Sequence, residues 1–167
     1  MPEVRGYSLS QVILHWLIVG LIAFQLLFND AIEDAFKSRI DGEAIDGGMQ
    51  TGAAVHVAIG LTILVLAAIR LGIRLRRGAP PVPPQHNAAI RIVARATHGL
   101  LYAFIFLQPL SGGAAWFLGI ERAAGVHSTL VWYVFPIVLA LHVGGALAEH
   151  FWFRTDVLKR MLKPDRG

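Results

Sequence analysis

Four long apolar stretches, separated by short polar segments, leave this chain very few ways to fold. They are expected to form spans over about 9–28, 51–70, 96–118 and 126–150, the third with an amphipathic lead-in over 88–97. Each comes close to the ~20 residues that a helix needs to cross the hydrocarbon of a bilayer. An isolated apolar stretch in lipid must satisfy its own backbone hydrogen bonds, so each run is read as a helix. The expected fold is all-α: a transmembrane four-helix bundle, one domain over 1–167. Only 16% of the residues are charged, against ~25% in an ordinary soluble domain. The spans and their connections consume nearly the whole length, leaving no room for a separate soluble domain.

The charges that remain are sorted by segment, and basic residues in loops set membrane orientation. Between the second and third spans stand Arg70, Arg74, Arg76, Arg77, Arg91 and Arg95, and the tail adds Arg154, Lys159, Arg160, Lys163 and Arg166. The first connection instead carries Asp30, Glu33, Asp34, Asp41, Glu43 and Asp46 against Lys37 and Arg39. Both termini are therefore expected in the cytoplasm, with the acidic segment outside. The net charge of +4 is an orientation signal and not a nucleic-acid footprint. Glu3 and Arg5 cancel ahead of the first run, which lacks a small-residue cleavage site, so no secretion signal is expected. No cysteine is present, which excludes disulfides, iron–sulfur clusters and thioether-attached haem. Pro80, Pro81, Pro83 and Pro84 make the basic connection a short extended one. Pro109, followed by Ser111, Gly112 and Gly113, is expected to loosen the third helix, and Pro136 to kink the fourth.

Ionisable side chains within a membrane ask for a partner or a function. Five of the seven histidines, His15, His56, His98, His127 and His142, lie in or at the ends of the spans. With the termini inside, His15 and His142 fall at one inner depth, and His56 and His127 at one outer depth. On a regular fourth helix His127 and His142 would lie ~22 Å apart and ~60° around the axis, on one broad face. Two haems stacked across a core of ~30 Å would need that separation, and a pair of neutral imidazoles is a ligand set suited to electron-transfer haem. Read singly, each histidine is more readily a hydrogen-bonding residue between helices, and glycine repeats are ordinary packing devices. Four histidines pairing by depth favour the ligand reading.

Other residues fit around such sites. Gly52, His56 and Gly60 share a helix face on which a flat macrocycle could approach the backbone. Arg70 follows His56 on nearly the same face, ~21 Å deeper, where it could pair with a propionate. Gly144 and Gly145 follow His142 and suggest the same close approach. His98 opens the third span at the inner level and is assigned a supporting role. His86, in the proline-rich connection, is expected to be solvated. His150, beside Glu149, Trp152 and Arg154, reads as a membrane-interface anchor; its functional alternative is a quinone head-group site with a protonatable pair at hand.

Leu14-His15-Trp16-Leu17, Val55-His56-Val57 through Arg70-Leu71, His127-Ser128-Thr129-Leu130, Leu141-His142 and the tail Asp156-Val157-Leu158-Lys159-Arg160-Met161 resemble the bacterial cytochrome b561 family. The likeness covers essentially the whole chain and is strongest to its short di-haem, superoxide oxidase-like members. It implies an inner-membrane protein with two haem b groups, their iron held by residues matching His15, His142, His56 and His127. It also implies electron exchange with ubiquinone and oxidation of superoxide to dioxygen at the periplasmic side. Glu149-His150 stands where some relatives have two histidines, and the acidic outer segment is poorly suited to attracting an anion.

Three functions are thus in competition. The first is an oxidoreductase moving electrons from superoxide to ubiquinone, the cofactor carrying the redox chemistry. The second is a non-catalytic cytochrome subunit serving a periplasmic redox protein. The third is a structural membrane protein whose histidines only pack helices.

Overall fold

The computed structural model describes residues 6–28, 30–83 and 85–165; Glu3, Arg5, Pro84 and Arg166 lie outside that set. Among the described residues all regular structure is helical: α1 Leu9–Leu27, α2 Asp30–Asp41, α3 Gly47–Arg77, α4 Ala88–Leu118, α5 Glu121–Thr129, a π turn Leu130–Val134, α6 Phe135–Phe151 and α7 Val157–Leu162. Four segments are long and apolar enough to cross a bilayer: α1, α3, α4 and the continuous stretch Glu121–Phe151. Their outward side chains are large and apolar, as at Val65, Ile92, Leu110 and Ile137. Such continuous apolar cover belongs against lipid and not water.

Local chemistry explains the boundaries. Ser8 caps α1 in a reciprocal box with Gln11, satisfying two of the donors that a helix start leaves free. Asp46 accepts from the backbone N–H groups of Gly48 and Met49 at 2.7 and 2.9 Å to open α3. Asn87 accepts from Ile90 at 3.0 Å to open α4. Helix α4 therefore starts at the amphipathic lead-in, and both α3 and α4 run for 31 residues. That is ~46 Å of helix, so their ends stand clear of a ~30 Å core. Helix α4 passes Pro109 without a break. Gly119, at φ 66°, ends it in the left-handed conformation that favours glycine.

The first connection contains a helix that its acidic composition conceals. In α2, Asp30 and Glu33 lie in the first turn and Arg39 in the last, each complementing the helix dipole. Ala35 is fully buried. Gly52 of α3 receives Ala31 so closely that a Cβ there would collide with the alanine methyl. Gly52 is thus the seat of α2.

Helix α1 packs on α3, α3 on α4, and α4 on α5 and α6, whereas α1 and α6 make at most sparse contact. Ile18, Ile63 and Ala67 form the buried centre, with Ile59, Ile105 and Phe106 around them. Phe104 stacks on Phe135 at 4.4 Å between α4 and α6. Polar ties join the end that carries both termini: Gln11 Nε2 donates to the Gly78 carbonyl at 3.1 Å, and Trp16 Nε1 to that of Met161 at 2.9 Å. In α7, Arg160 reaches Asp156 at 2.7 Å, and its hydrogen bond holds that carboxyl below the usual carboxylate range.

The kink expected at Pro136 is a π turn. Proline has no N–H and its ring crowds the carbonyl four residues earlier. Just before it, Phe135 N–H bonds Leu130, five residues back, so the widened turn takes up one extra residue.

Candidate functional site

Two histidine pairs meet. His15 of α1 faces His142 of α6 near the terminal end, with ring centres 6.2 Å apart and planes at 70°. His56 of α3 faces His127 of α5 near the far end, again at 6.2 Å, with planes at 65°. The π turn between His127 and His142 makes their fifteen-residue separation act like ~14 regular residues. The pairs then stand ~21 Å apart along the helix, and the two side chains differ by ~40° around it, not the ~60° of an unbroken helix.

The spacing can be tested against a shared metal. Imidazole–metal bonds are ~2 Å, and a ring nitrogen lies ~1.2 Å from its ring centre. A metal in line between two imidazoles therefore sets ring centres ~6.4 Å apart. Both pairs match that value. His98 stands 5.2 Å from His142, too close for a metal between them. Its Nδ1 lies 2.6 Å from the Ala94 carbonyl, so it donates within its own helix. No cluster of three or more histidine, cysteine or carboxylate groups for a protein-only metal site occurs among the described residues.

At the far pair the supporting groups are explicit. His127 Nδ1 is 3.0 Å from the Gln108 carbonyl and 3.4 Å from Ser111 Oγ. A proton on Nδ1 donating to that carbonyl leaves Nε2 as the free lone pair, the usual arrangement behind a metal-ligating histidine. Gln108 Nε2 donates to the His127 carbonyl at 3.2 Å, and Gln25 Nε2 to the His56 carbonyl at 2.9 Å. Each candidate ligand is thus held by a glutamine from a neighbouring helix. A Cβ on Gly112 would fall 2.9 Å from His127 Cε1, so glycine is needed for the ring to sit there. Gly60 lines the same space, with Gln25 Nε2 3.6 Å from where its Cβ would be.

A cavity of ≈ 390 Å³ opens beside His56 and His127, walled by Gly60, Phe104, Gly112, Trp132 and Phe135 and covered by Ile32, Glu33 and Phe36 of α2. This volume is within the range of cofactor clefts. Its walls are mainly apolar, as a flat hydrophobic macrocycle requires. Arg39 lies over Trp116, another wall residue, at 5.5 Å and donates to its carbonyl at 2.8 Å. Neither Lys37 nor Arg122 is among the residues that line the cavity.

At the terminal end, Arg70 lies within reach of both His15 and His142 for its charge to act on the rings. No carboxylate pairs with it among the described residues. An unpaired guanidinium within a bundle suits an anionic group such as a propionate. The space beside Gly144 and Gly145 is open, with no protein atom within 4 Å of where a Cβ would stand.

The chemistry past His142 departs from expectation. His86 is not solvated: it is 4% exposed, and its Nε2 lies 2.7 Å from Glu149 Oε1. Phe153 packs edge-on to its ring at 4.9 Å. Glu149 therefore turns to the proline-rich connection and not to its neighbour His150. His150 lies edge-on to Phe151 at 4.8 Å, with Trp152 widely exposed beside it. Arg154 has φ 52°, a strained value for a non-glycine residue at the turn into the tail. Thus Glu149 and His150 are adjacent in sequence but separate in contact, and neither touches His98 through a contact that the structure records.

Gln25, Gln108 and Gly112 escaped the sequence reading. Their signal was present, since an amide in an apolar span asks for a partner, but the partners are backbone carbonyls that no motif displays.

A family model described as prokaryotic cytochrome b561 matches residues 6–164. Cytochrome b562 of Cereibacter sphaeroides is 32% identical over 167 residues, covering 98% of this chain and 99% of that protein. A probable superoxide oxidase, CybB, of Yersinia pestis is 24% identical over 183 aligned residues, covering 98% and 99%. Cytochrome b561 homolog 2 of Escherichia coli is 27% identical over 139 residues, covering 70% and 73%.

Proposed function

The chain belongs to the prokaryotic cytochrome b561 family, and from that premise we propose that it is a di-haem oxidoreductase passing electrons from superoxide to ubiquinone. Membership makes it a bacterial membrane cytochrome with haem b. The finer reading treats residues 1–167 as one unit with both termini in the cytoplasm, so that His56 and His127 lie on the periplasmic side and His15 and His142 on the cytoplasmic side. The observation that carries it is the repeated 6.2 Å spacing of two histidine pairs at two levels of one bundle.

When bound, haem supplies reversible one-electron chemistry at iron. The chain supplies the rest. His15, His142, His56 and His127 fix the iron positions, Gln108 sets the orientation and tautomer of His127, and Gly60 and Gly112 admit the flat group. Arg70 neutralises propionate charge at the cytoplasmic level. Apolar walls exclude water from the outer cavity. Arg39 over Trp116 gives an anionic donor a local positive approach beside an otherwise acidic segment. Glu149, His150 and Arg154 border the quinone, with His98 supporting His142.

The first test is a pyridine haemochrome count with reduced-minus-oxidised spectra of the protein purified in detergent. Two haem b per chain, with loss of one or both in His142→Ala and in His56→Ala, is the expected result. One haem, or retention of both in each variant, would overturn the ligand assignment. Superoxide-dependent reduction of a ubiquinone analogue then tests the reaction.

A second reading, a non-catalytic subunit serving a periplasmic redox protein, is favoured by α2. It carries Asp30, Glu33, Asp34 and Asp41 and lines the outer cavity with Ile32, Glu33 and Phe36, and its acidic charge is complementary to a cationic protein. Reduction of the haems by such a partner, with no reaction towards superoxide, would select it.

A further inference from the structure

We propose that His86 and Glu149 form a proton-transfer couple that serves the quinone at the cytoplasmic end. The inference rests on the quinone-reducing reading above and gives that site its proton source. Glu149 follows His142 by seven residues, which places it ~10 Å further along nearly the same helix face. Electrons and protons would thus reach one end of one helix.

The two groups differ in access in the order that a relay requires. The Glu149 side chain is 15% exposed and that of His86 is 1% exposed, with 2.7 Å between Oε1 and Nε2. The contact is short, though out of line for a directed hydrogen bond, so a small rotation of the ring completes it. Thr155 Oγ1 lies 2.7 Å from the second carboxylate oxygen and donates to it, which leaves Oε1 to face the imidazole. His86 Nδ1 is buried and meets no hydrogen-bond partner among the described residues. A buried polar nitrogen without a partner points to a water or ligand that completes it, and Nδ1 is the atom from which a proton accepted at Nε2 would leave. Arg160 at this end pairs with Asp156 and reaches the Pro81 carbonyl at 3.4 Å. His150 lies on Phe151.

A hydronium ion gives Glu149 a proton and leaves as water; the Glu149 O–H bond breaks as an N–H bond forms at Nε2; the Nδ1–H bond breaks as an O–H bond forms on a quinone carbonyl oxygen. A half-turn of the ring restores the starting tautomer. Two such deliveries and two electrons, one from each of two superoxide ions oxidised to dioxygen, convert quinone to quinol.

The test uses the haem-loaded protein with a ubiquinone analogue, comparing wild type with Glu149→Gln and His86→Phe. Both variants should slow quinone reduction roughly 100-fold, the scale of a lost proton-transfer group, and wild type should show a solvent deuterium isotope effect that they alter. Independently of turnover, the reduced-minus-oxidised infrared spectrum should contain a deuterium-sensitive carboxyl band that Glu149→Gln removes. If that variant loses haem, Glu149→Asp, which keeps the acid on a shorter arm, should retain the band at a shifted position. Variants within twofold of an active wild type, or an unchanged band, would overturn the couple alone. A wild type that reduces no quinone would overturn the quinone reading and the couple with it.

Discussion

Gly112 shows how much of the site depends on what a side chain lacks. Any Cβ there would press on the His127 ring at 2.9 Å. Gly112→Val is therefore expected to displace the ring and abolish haem at the outer level while the inner haem remains, read as a halved pyridine haemochrome count. Gln108 acts through a hydrogen bond. Gln108→Leu leaves the His127 carbonyl without its donor, and supporting contacts of this kind typically change metal affinity by ~10–100-fold. Faster haem loss on dilution, followed by absorbance, is the measurement; retention equal to wild type would refute the role. The four spanning histidines were legible as a set because imidazole in lipid demands an explanation. His86 was not legible. A histidine after a proline cluster reads as loop, and its partner Glu149 lies 63 residues away in sequence, so only the tertiary fold brings the acid to it.

At the scale of elements, hydropathy gave the spans because lipid imposes one length and one conformation. It hid α2, whose acids dominate its composition although Ala31 and Ala35 hold it to α3. Gly52→Leu should unseat this helix. Limited proteolysis of the detergent-solubilised protein should then cut between α1 and α3 at least several-fold faster than in wild type. The π turn was also out of sight, since a proline announces a disturbance but not its form. Its function can be tested by register. Removing Val131 together with Pro136→Ala should give a regular helix in which His127 and His142 keep their relation, so both haems are retained. Inserting one alanine after Val138, in regular α6, should rotate His142 by ~100° and cost the inner haem. Equal haem content in the two variants would refute the account.

For the whole molecule, the distribution of arginine and lysine predicts a direction of insertion, and the expected assignment of histidine depths follows from it. Reporter fusions at the C-terminus should be active only as cytoplasmic reporters. The opposite result would exchange the inner and outer assignments while leaving the pairs intact. Which helices pack closely was not readable, because four apolar spans of similar composition can be arranged in more than one order. The small residues that decide such contacts, such as Gly52 and Ala53, acquire meaning only once a neighbour is known.

The widened turn at Leu130–Val134 also bears on how chains of this kind diverge. An amino acid gained there is taken up as a local bulge, so the ligands above and below keep their mutual bearing. A descendant can thus differ from its ancestor by one codon in the fourth helix and still carry the same wiring. Counting positions between histidines would score such a pair as mismatched, whereas counting turns would score them as alike.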